Sequence, residues 1–199
     1  MKNLAGMLKL GCILAAYAAV ACVMLAFVYA GTSKIIASRV EADQNAALKE
    51  IFPDADSFEP VEGVTSPDPS VTIESAYVAK RGGTTAGMAL KLSRASYSGS
   101  IVLLAGVSVD KRITGVKIME HSDTPGLGAN AASPSYFVDR ANGITFYGQF
   151  AGKSVDDPFT VKGDVVAITA STITSRAVTA SVKAAGQAAT QWLSTGGSK

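Results

Sequence analysis

The alternation of apolar and polar positions divides the chain into stretches of different character. Residues 10–33 carry no charge, and Lys9 and Lys34 bracket them. As a helix rising about 1.5 Å per residue, this run is roughly 36 Å long, enough to cross a bilayer. Over residues 33–52 apolar side chains recur at Ile36, Val40, Ala47, Leu48 and Ile51 with charges between them, which predicts a further helix ended by Pro53. An acidic, proline-containing connector follows to Pro69. Strand-like patterns then cover residues 71–80, 87–94, 99–109 and 112–120, and Arg81-Gly82-Gly83 and Asp110-Lys111 read as hairpin turns. A Gly/Pro-punctuated loop spans 121–128, and a short helix is expected over 134–140. Irregular chain with short strands runs to Val161, and the apolar residues Val165-Val166-Ala167-Ile168 read as one more strand. Val178, Val182, Ala185, Ala189 and Trp192 share one face of a helix over 175–193, and Gly196-Gly197 and Lys199 suggest a frayed end. The pattern predicts an α+β fold: an antiparallel sheet with packed helices, preceded by one N-terminal transmembrane helix. Its expected divisions are a short tail (1–9), the membrane helix (10–33), a helix and connector (34–70) and a soluble domain (71–199).

Composition narrows this picture. The 199 residues are 48% hydrophobic and 17% charged, which disfavours disorder and leaves room for one compact domain beside the membrane segment. A net charge of +2, evenly spread, argues against a nucleic-acid partner, and no 20–50-residue repeat is visible. Cys12 and Cys22 both fall in the apolar run, roughly 15 Å apart along a helix, so they cannot bridge within one chain. The soluble part therefore uses neither disulfides nor thiolate ligands, and no cluster has metal-ligand spacing. A cleaved signal ending near Val28-Tyr29-Ala30, or a lipoprotein signal ending at Cys22, is the alternative to an anchor. The run exceeds the usual 7–15-residue core of a signal peptide, which favours retention. Lys2 and Lys9 before the run nearly balance Lys34 and Arg39 after it, so charge leaves orientation open.

Two segments carry candidate chemistry. Thr169-Ala170-Ser171-Thr172-Ile173-Thr174-Ser175 is a hydroxyl-rich junction opening the last helix, where free N–H groups and the positive end of the helix dipole suit a phosphate. Read plainly, it is a helix cap made by Thr172 or Thr174. His121-Ser122-Asp123-Thr124-Pro125-Gly126-Leu127-Gly128 places glycines on both sides of Leu127, so the loop can approach a flat ligand while Leu127 covers an apolar ring face. Thr124 offers a hydroxyl to a ring atom; the plain reading is a Thr-Pro-Gly reverse turn. His121 is the only histidine, and a loop-ordering role suits it better than a triad with Ser122, since no nucleophile elbow accompanies it. Tyr147-Gly148-Gln149-Phe150 is an aromatic patch of the kind that joins a core.

Taken together, these segments resemble the flavinylated subunits of Rnf-type ion-translocating oxidoreductases and sodium-pumping NADH:quinone oxidoreductases. Those families carry Asp-x-x-Ser/Thr-Gly-Ala-Thr, continued by Ile/Val-Thr-Ser, and a strand ending in His-x-Glu-Thr-Pro-Gly-Leu-Gly. Here Val166 stands at the Asp position with Asp164 two residues before it, Ala170 at the Gly, Ser171 at the Ala and Asp123 at the Glu. The continuation Arg176-Ala177-Val178 is most similar to the RnfG family, the G subunits of the Rnf-type ferredoxin:NAD oxidoreductases. The resemblance implies FMN joined by a phosphoester to Thr172, with Thr169, Ala170, Ser171, Thr174 and Ser175 around the phosphate. It implies that His121, Thr124, Pro125, Gly126, Leu127 and Gly128 hold the isoalloxazine. It also implies a separate flavin transferase that releases AMP from FAD, other membrane subunits of an Rnf-type complex as partners, and a soluble domain on the outer side of the cytoplasmic membrane. Such a chain is an electron carrier with no catalytic residues or metal of its own. The alternatives from other classes are a membrane-tethered ligand-binding or sensor module without covalent flavin, and a tethered hydrolase using Ser122 or Ser171.

Overall fold

The computed structural model describes residues 2–195, with side chains from residue 6 onward. Met1 and the expected end at Gly196-Gly197 and Lys199 lie outside the described residues. The chain forms two compact units, 1–45 and 46–199.

The first unit belongs to α1 (Lys2–Ile51). Its large apolar side chains, Leu14, Tyr17, Phe27 and Tyr29 among them, face outward, a surface that a water-solvated helix does not maintain. Among the described residues α1 is the one helix long and apolar enough to span a membrane. Thr32 donates its hydroxyl to the Val28 carbonyl at 2.9 Å, which satisfies that polar group inside the helix. The helix already includes Lys2 and continues without a break past residue 33. Pro53 is the first proline of the sequence, and nothing before it forces the backbone out of helix.

The second unit is built on a five-stranded antiparallel meander in the order β1-β2-β3-β4-β5. The strands are β1 (Ser57–Val61), β2 (Val71–Arg81), β3 (Thr84–Ala95), β4 (Ser100–Ser108) and β5 (Ile113–His121). β1 falls where only a connector was expected. It is a short edge strand, the one place in a sheet where Pro60 costs no ladder bond. Gly82 and Gly83 have φ of +56° and +79°, the left-handed pair that a tight β2–β3 hairpin requires.

The sheet is covered on both faces. Met88, Leu90, Leu92, Leu103 and Val107 point toward α2 (Thr172–Ser194), which returns Val178, Val182, Ala185 and Ala189, with Trp192 partly buried beside them. On the opposite face Ala79, Ala89 and Leu104 meet Ala47, Leu48, Ile51 and Phe52 from the last turns of α1. Small residues make that contact possible. A Cβ on Gly106 would overlap Ile51 Cγ2 and Thr114 Oγ1, and one on Gly87 would reach the Phe52 ring at 2.9 Å.

Three local expectations give way to different structure. Residues 134–140 are not helical; Phe137–Asp139 (β6) pairs with Ile144–Thr145 (β7). The β-formers Phe137 and Val138 favour a strand, and Asp139 closes the turn by accepting the Ala141 and Asn142 N–H groups at 3.0 and 3.2 Å. Residues 165–168 form no strand: a single bridge joins Val161 to Val165, Val165 and Ile168 are buried, and Val166 faces solvent. Finally, α2 begins at Thr172, not near Ser175, so the threonine itself lies in the first helical turn.

Candidate functional site

Three segments far apart in sequence meet at one carboxylate. Asp123, just past the end of β5, is 6% exposed. Its Oδ2 accepts the Ser96 hydroxyl at 2.6 Å and the Thr174 hydroxyl at 2.8 Å, and its Oδ1 accepts the Ser98 N–H at 3.0 Å. Burial pushes its pKa up. The Ser96, Ser98 and Thr174 hydrogen bonds and the nearby His121 outweigh that and hold it below the usual carboxylate value. The result is a clasp joining the β3–β4 loop, the 123–128 loop and the first turn of α2.

The clasped segments enclose a cavity of about 380 Å³ lined by Tyr97, Asp123, Thr124, Leu127, Gly128 and the residues Ala170, Ser171, Thr172, Ile173 and Thr174. Tyr97, Leu127 and Ile173 are exposed large side chains that make its mouth apolar. A second, more polar cavity of about 500 Å³ adjoins the same segment, lined by Lys162, Gly163, Val165 through Ala170, and Thr172. Thr172 borders both cavities. Among the described residues, no hydrogen bond engages its hydroxyl.

The start of α2 is open. Ser171 is the N-cap but makes no side-chain capping bond, and the first turn holds no acidic residue. The first intrahelical bond is from the Ser175 N–H to the Ser171 carbonyl at 3.0 Å, which leaves the N–H groups of Thr172, Ile173 and Thr174 without helical acceptors. Together with the helix dipole, these donors suit an anion.

The segment leading into this turn is held by side chains where a ladder was expected. Gln149 Oε1 accepts the Val166 N–H at 2.8 Å while its Nε2 donates to the Val166 carbonyl at 3.1 Å, so one amide serves both backbone groups. Ser175 Oγ accepts the Ile168 N–H at 2.9 Å and donates to the Ser171 carbonyl at 2.9 Å. The Thr169 N–H reaches Tyr136 Oη at 3.2 Å. Asp164, two residues before the Asp position of the motif, points elsewhere. It accepts the Phe159 and Thr160 N–H groups at 3.2 and 2.6 Å and pairs with Lys153 at 3.0 Å, ordering the 159–164 turn. Burial raises its pKa; the hydrogen bonds from the Thr160 N–H and Lys153, with the Lys153 charge, outweigh that and give a net downward shift.

The candidate residues thus separate into groups. Ala170, Ser171, Thr172, Thr174, Thr124, Leu127 and Gly128 line the first cavity, and Thr169 lines the second. Ser175 is fully buried and braces the junction from behind. Pro125 and Gly126 border neither cavity; Gly126 supplies the φ of +78° that turns the loop. Gly128 serves close approach to protein: a Cβ there would lie 2.6 Å from Thr174 Oγ1 and 2.7 Å from Asp123 Cβ. His121 lines a different hollow with Ser100, Met119, Glu120 and Ser122, and its Nδ1 is buried without a hydrogen-bond partner. The sequence did not single out Ser96, Tyr97, Ser98 or Tyr136, or assign Gln149 and Asp123 to the site. A polar turn such as Ser96-Tyr97-Ser98 gains its role only through tertiary approach to Asp123.

Residues 96–187 match the model of the FMN-binding domain, and residues 1–51 match that of the RnfG N-terminal region. The first match opens at Ser96, the start of the loop clasped by Asp123; the second covers α1. The G subunit of the ion-translocating oxidoreductase complex of Methanosarcina acetivorans is 37% identical over 80% of this chain and 82% of that protein. The chain belongs to the RnfG family. Further members are the G subunit of the proton-translocating ferredoxin:NAD(+) oxidoreductase complex of Clostridium ljungdahlii, 33% identical over 82% of this chain and 80% of that protein, and the G subunit of the Na(+)-translocating complex of Acetobacterium woodii, 34% identical over 87% of each. The crystal structure of Shewanella oneidensis NqrC aligns more loosely, with TM-score 0.42 and 18% identity over 66% of this chain and 67% of that one. This RnfG site fits a flavin mononucleotide on its own terms. The first cavity lies within the range of about 300–1,000 Å³ usual for cofactor sites, its mouth is apolar, and unsatisfied N–H donors gather where a phosphate would sit.

Proposed function

We propose that the chain is the electron-transfer subunit of a membrane-bound, ion-translocating Rnf-type complex, carrying FMN through a phosphoester on Thr172 Oγ1. The observation that carries this reading is the position of Thr172. Its hydroxyl engages no protein group among the described residues, it stands in an uncapped first turn with three free N–H donors (residues 172–174), and it borders the apolar cavity. In the attachment step Thr172 Oγ1 displaces AMP from the FMN-side phosphorus of FAD; the new O–P bond replaces the anhydride bond, and the hydroxyl proton leaves with AMP. A separate flavin transferase supports this step. The N–H groups of residues 172–174 then hold the phosphate charge, while Tyr97, Leu127 and Ile173 shelter an aromatic ring from water. Bound FMN supplies the electron-accepting and electron-donating chemistry; the protein supplies placement and electrostatics. The domain stands on the outer side of the cytoplasmic membrane, anchored by α1 and docked against the other membrane subunits. An ester suits that position, because a dissociable cofactor would be lost to the surroundings.

Full-length protein produced together with a flavin transferase should gain the mass of one FMN less one water and give a fluorescent band after denaturing electrophoresis. Thr172→Ala should lose both. A Thr172→Ala chain that keeps the added mass refutes the assignment, and a wild-type chain that binds flavin without added mass supports a non-covalent binding module.

A further inference from the structure

We propose that Asp123 is a positioning residue of the flavin cavity that also holds down the cofactor's reduction potential, by fixing Tyr97 and the first turn of α2 and by presenting an unneutralised carboxylate to the ring. The proposal rests on the reading of Thr172 as the attachment site.

Asp123 lines the cavity and is 6% exposed. The groups bonded to it are neutral: two hydroxyls, of Ser96 and Thr174, and the Ser98 N–H. Among the described residues no lysine or arginine pairs with it; His121 is the one titratable side chain that acts on it electrostatically. Neutral donors stabilise a carboxylate without cancelling its charge, so the field of this buried group extends into a cavity lined largely by apolar atoms, which screen it less than bulk water does. Two-electron, one-proton reduction of an oxidised isoalloxazine leaves one added negative charge on the ring. A fixed carboxylate beside it opposes that charge and lowers the potential. The dipole of α2 acts in the other direction at the phosphate, so the site balances an anion-stabilising end against an anion-opposing wall.

Asp123→Asn separates charge from geometry. Its oxygen can still accept the Ser98 N–H, and its amide can donate to the Ser96 and Thr174 hydroxyls, which are able to reverse their roles. The test uses full-length protein produced with its transferase and reduced by dithionite against reference dyes. Asp123→Asn should remain flavinylated by intact mass and show a more positive potential. Asp123→Glu, which keeps the charge, should restore the wild-type potential. Ser96→Ala removes one donor, concentrates the carboxylate charge and should shift the potential the opposite way, to more negative values. Loosened packing alone does not produce opposite shifts. A flavinylated Asp123→Asn protein with an unmoved or more negative potential overturns the proposal. Should that variant take up no flavin, an unmoved or positive shift in Ser96→Ala overturns it instead. A wild-type chain without the FMN mass refutes the attachment reading, and this proposal with it.

Discussion

Ala170 offers a substitution whose sign runs against the usual expectation that glycine weakens a fold. Its φ is +60°, a left-handed conformation in which a Cβ crowds the following carbonyl. For an L-residue this costs roughly 1–2 kcal/mol. Glycine adopts the conformation freely, but its greater freedom in the unfolded chain costs about 0.5–1 kcal/mol in return. Ala170 is exposed, so removing its methyl group sacrifices little burial and opens no cavity. The balance favours Ala170→Gly by about 0.5–1 kcal/mol. At about 2–4 °C per kcal/mol for a domain of this size, thermal unfolding of the full-length protein in detergent should rise by roughly 1–4 °C. Circular dichroism or scanning calorimetry at one pH and one protein concentration measures this directly. An unchanged or lower midpoint would refute the argument, because it would mean that the left-handed backbone is not strained or that the methyl group has packing value its exposure conceals. Glycine is also the residue that the flavin-attachment pattern carries here, so the same variant should be flavinylated at least as completely as wild type.

Three further outcomes follow from the described contacts. Gly106→Ala forces a methyl group into Ile51 and Thr114; overpacking of this kind costs about 1–3 kcal/mol, and the melting temperature should fall accordingly, with an unchanged value ruling out the close contact of Gly106 with Ile51 and Thr114. Ser175→Ala strips the buried acceptor from the Ile168 N–H and should cost about 1–3 kcal/mol, read by denaturant titration. Asp123 and Asp164 both have folded pKa values below the ordinary one. Their contribution is therefore complete above the unfolded carboxylate pKa of about 3.9 and is lost as pH falls through the folded values. The double variant Asp123→Asn, Asp164→Asn should lose less stability than wild type between about pH 5 and pH 2; an equally steep acid limb would contradict the shifts.

The sheet was legible because its strands state themselves twice, in alternating apolar positions and in turn residues such as Gly82-Gly83. The α2 face was legible for the same reason, with Val178, Val182, Ala185 and Ala189 at one helical spacing. What escaped the sequence had no local signal. β1 is a five-residue edge strand containing Pro60, and a proline argues against a strand unless the neighbour is known. The segment 165–168 has strand composition, yet its partners are the side chains of Gln149 and Ser175, which no periodicity reveals. The site was half visible: Thr172 and the loop at 124–128 form recognisable motifs. Ser96 and Ser98 matter only because folding carries them to Asp123, and the close approach of Gly128 to Thr174 and Asp123, beside its place in the cavity wall, is likewise a tertiary contact.

The last turns of α1 have a practical bearing on how the globular part can be separated from its anchor. Ala47, Leu48, Ile51 and Phe52 form one side of the core. A protease cut or a truncation placed in the acidic connector after Pro53, where the sequence invites one, would strip that layer and leave Ala79, Ala89 and Leu104 bare to water, with the glycine trough empty beside them. Such a fragment should be sticky and prone to self-association. A cut upstream of Ala46 leaves the apolar plug in place, so the workable boundary of the soluble piece lies within a helix.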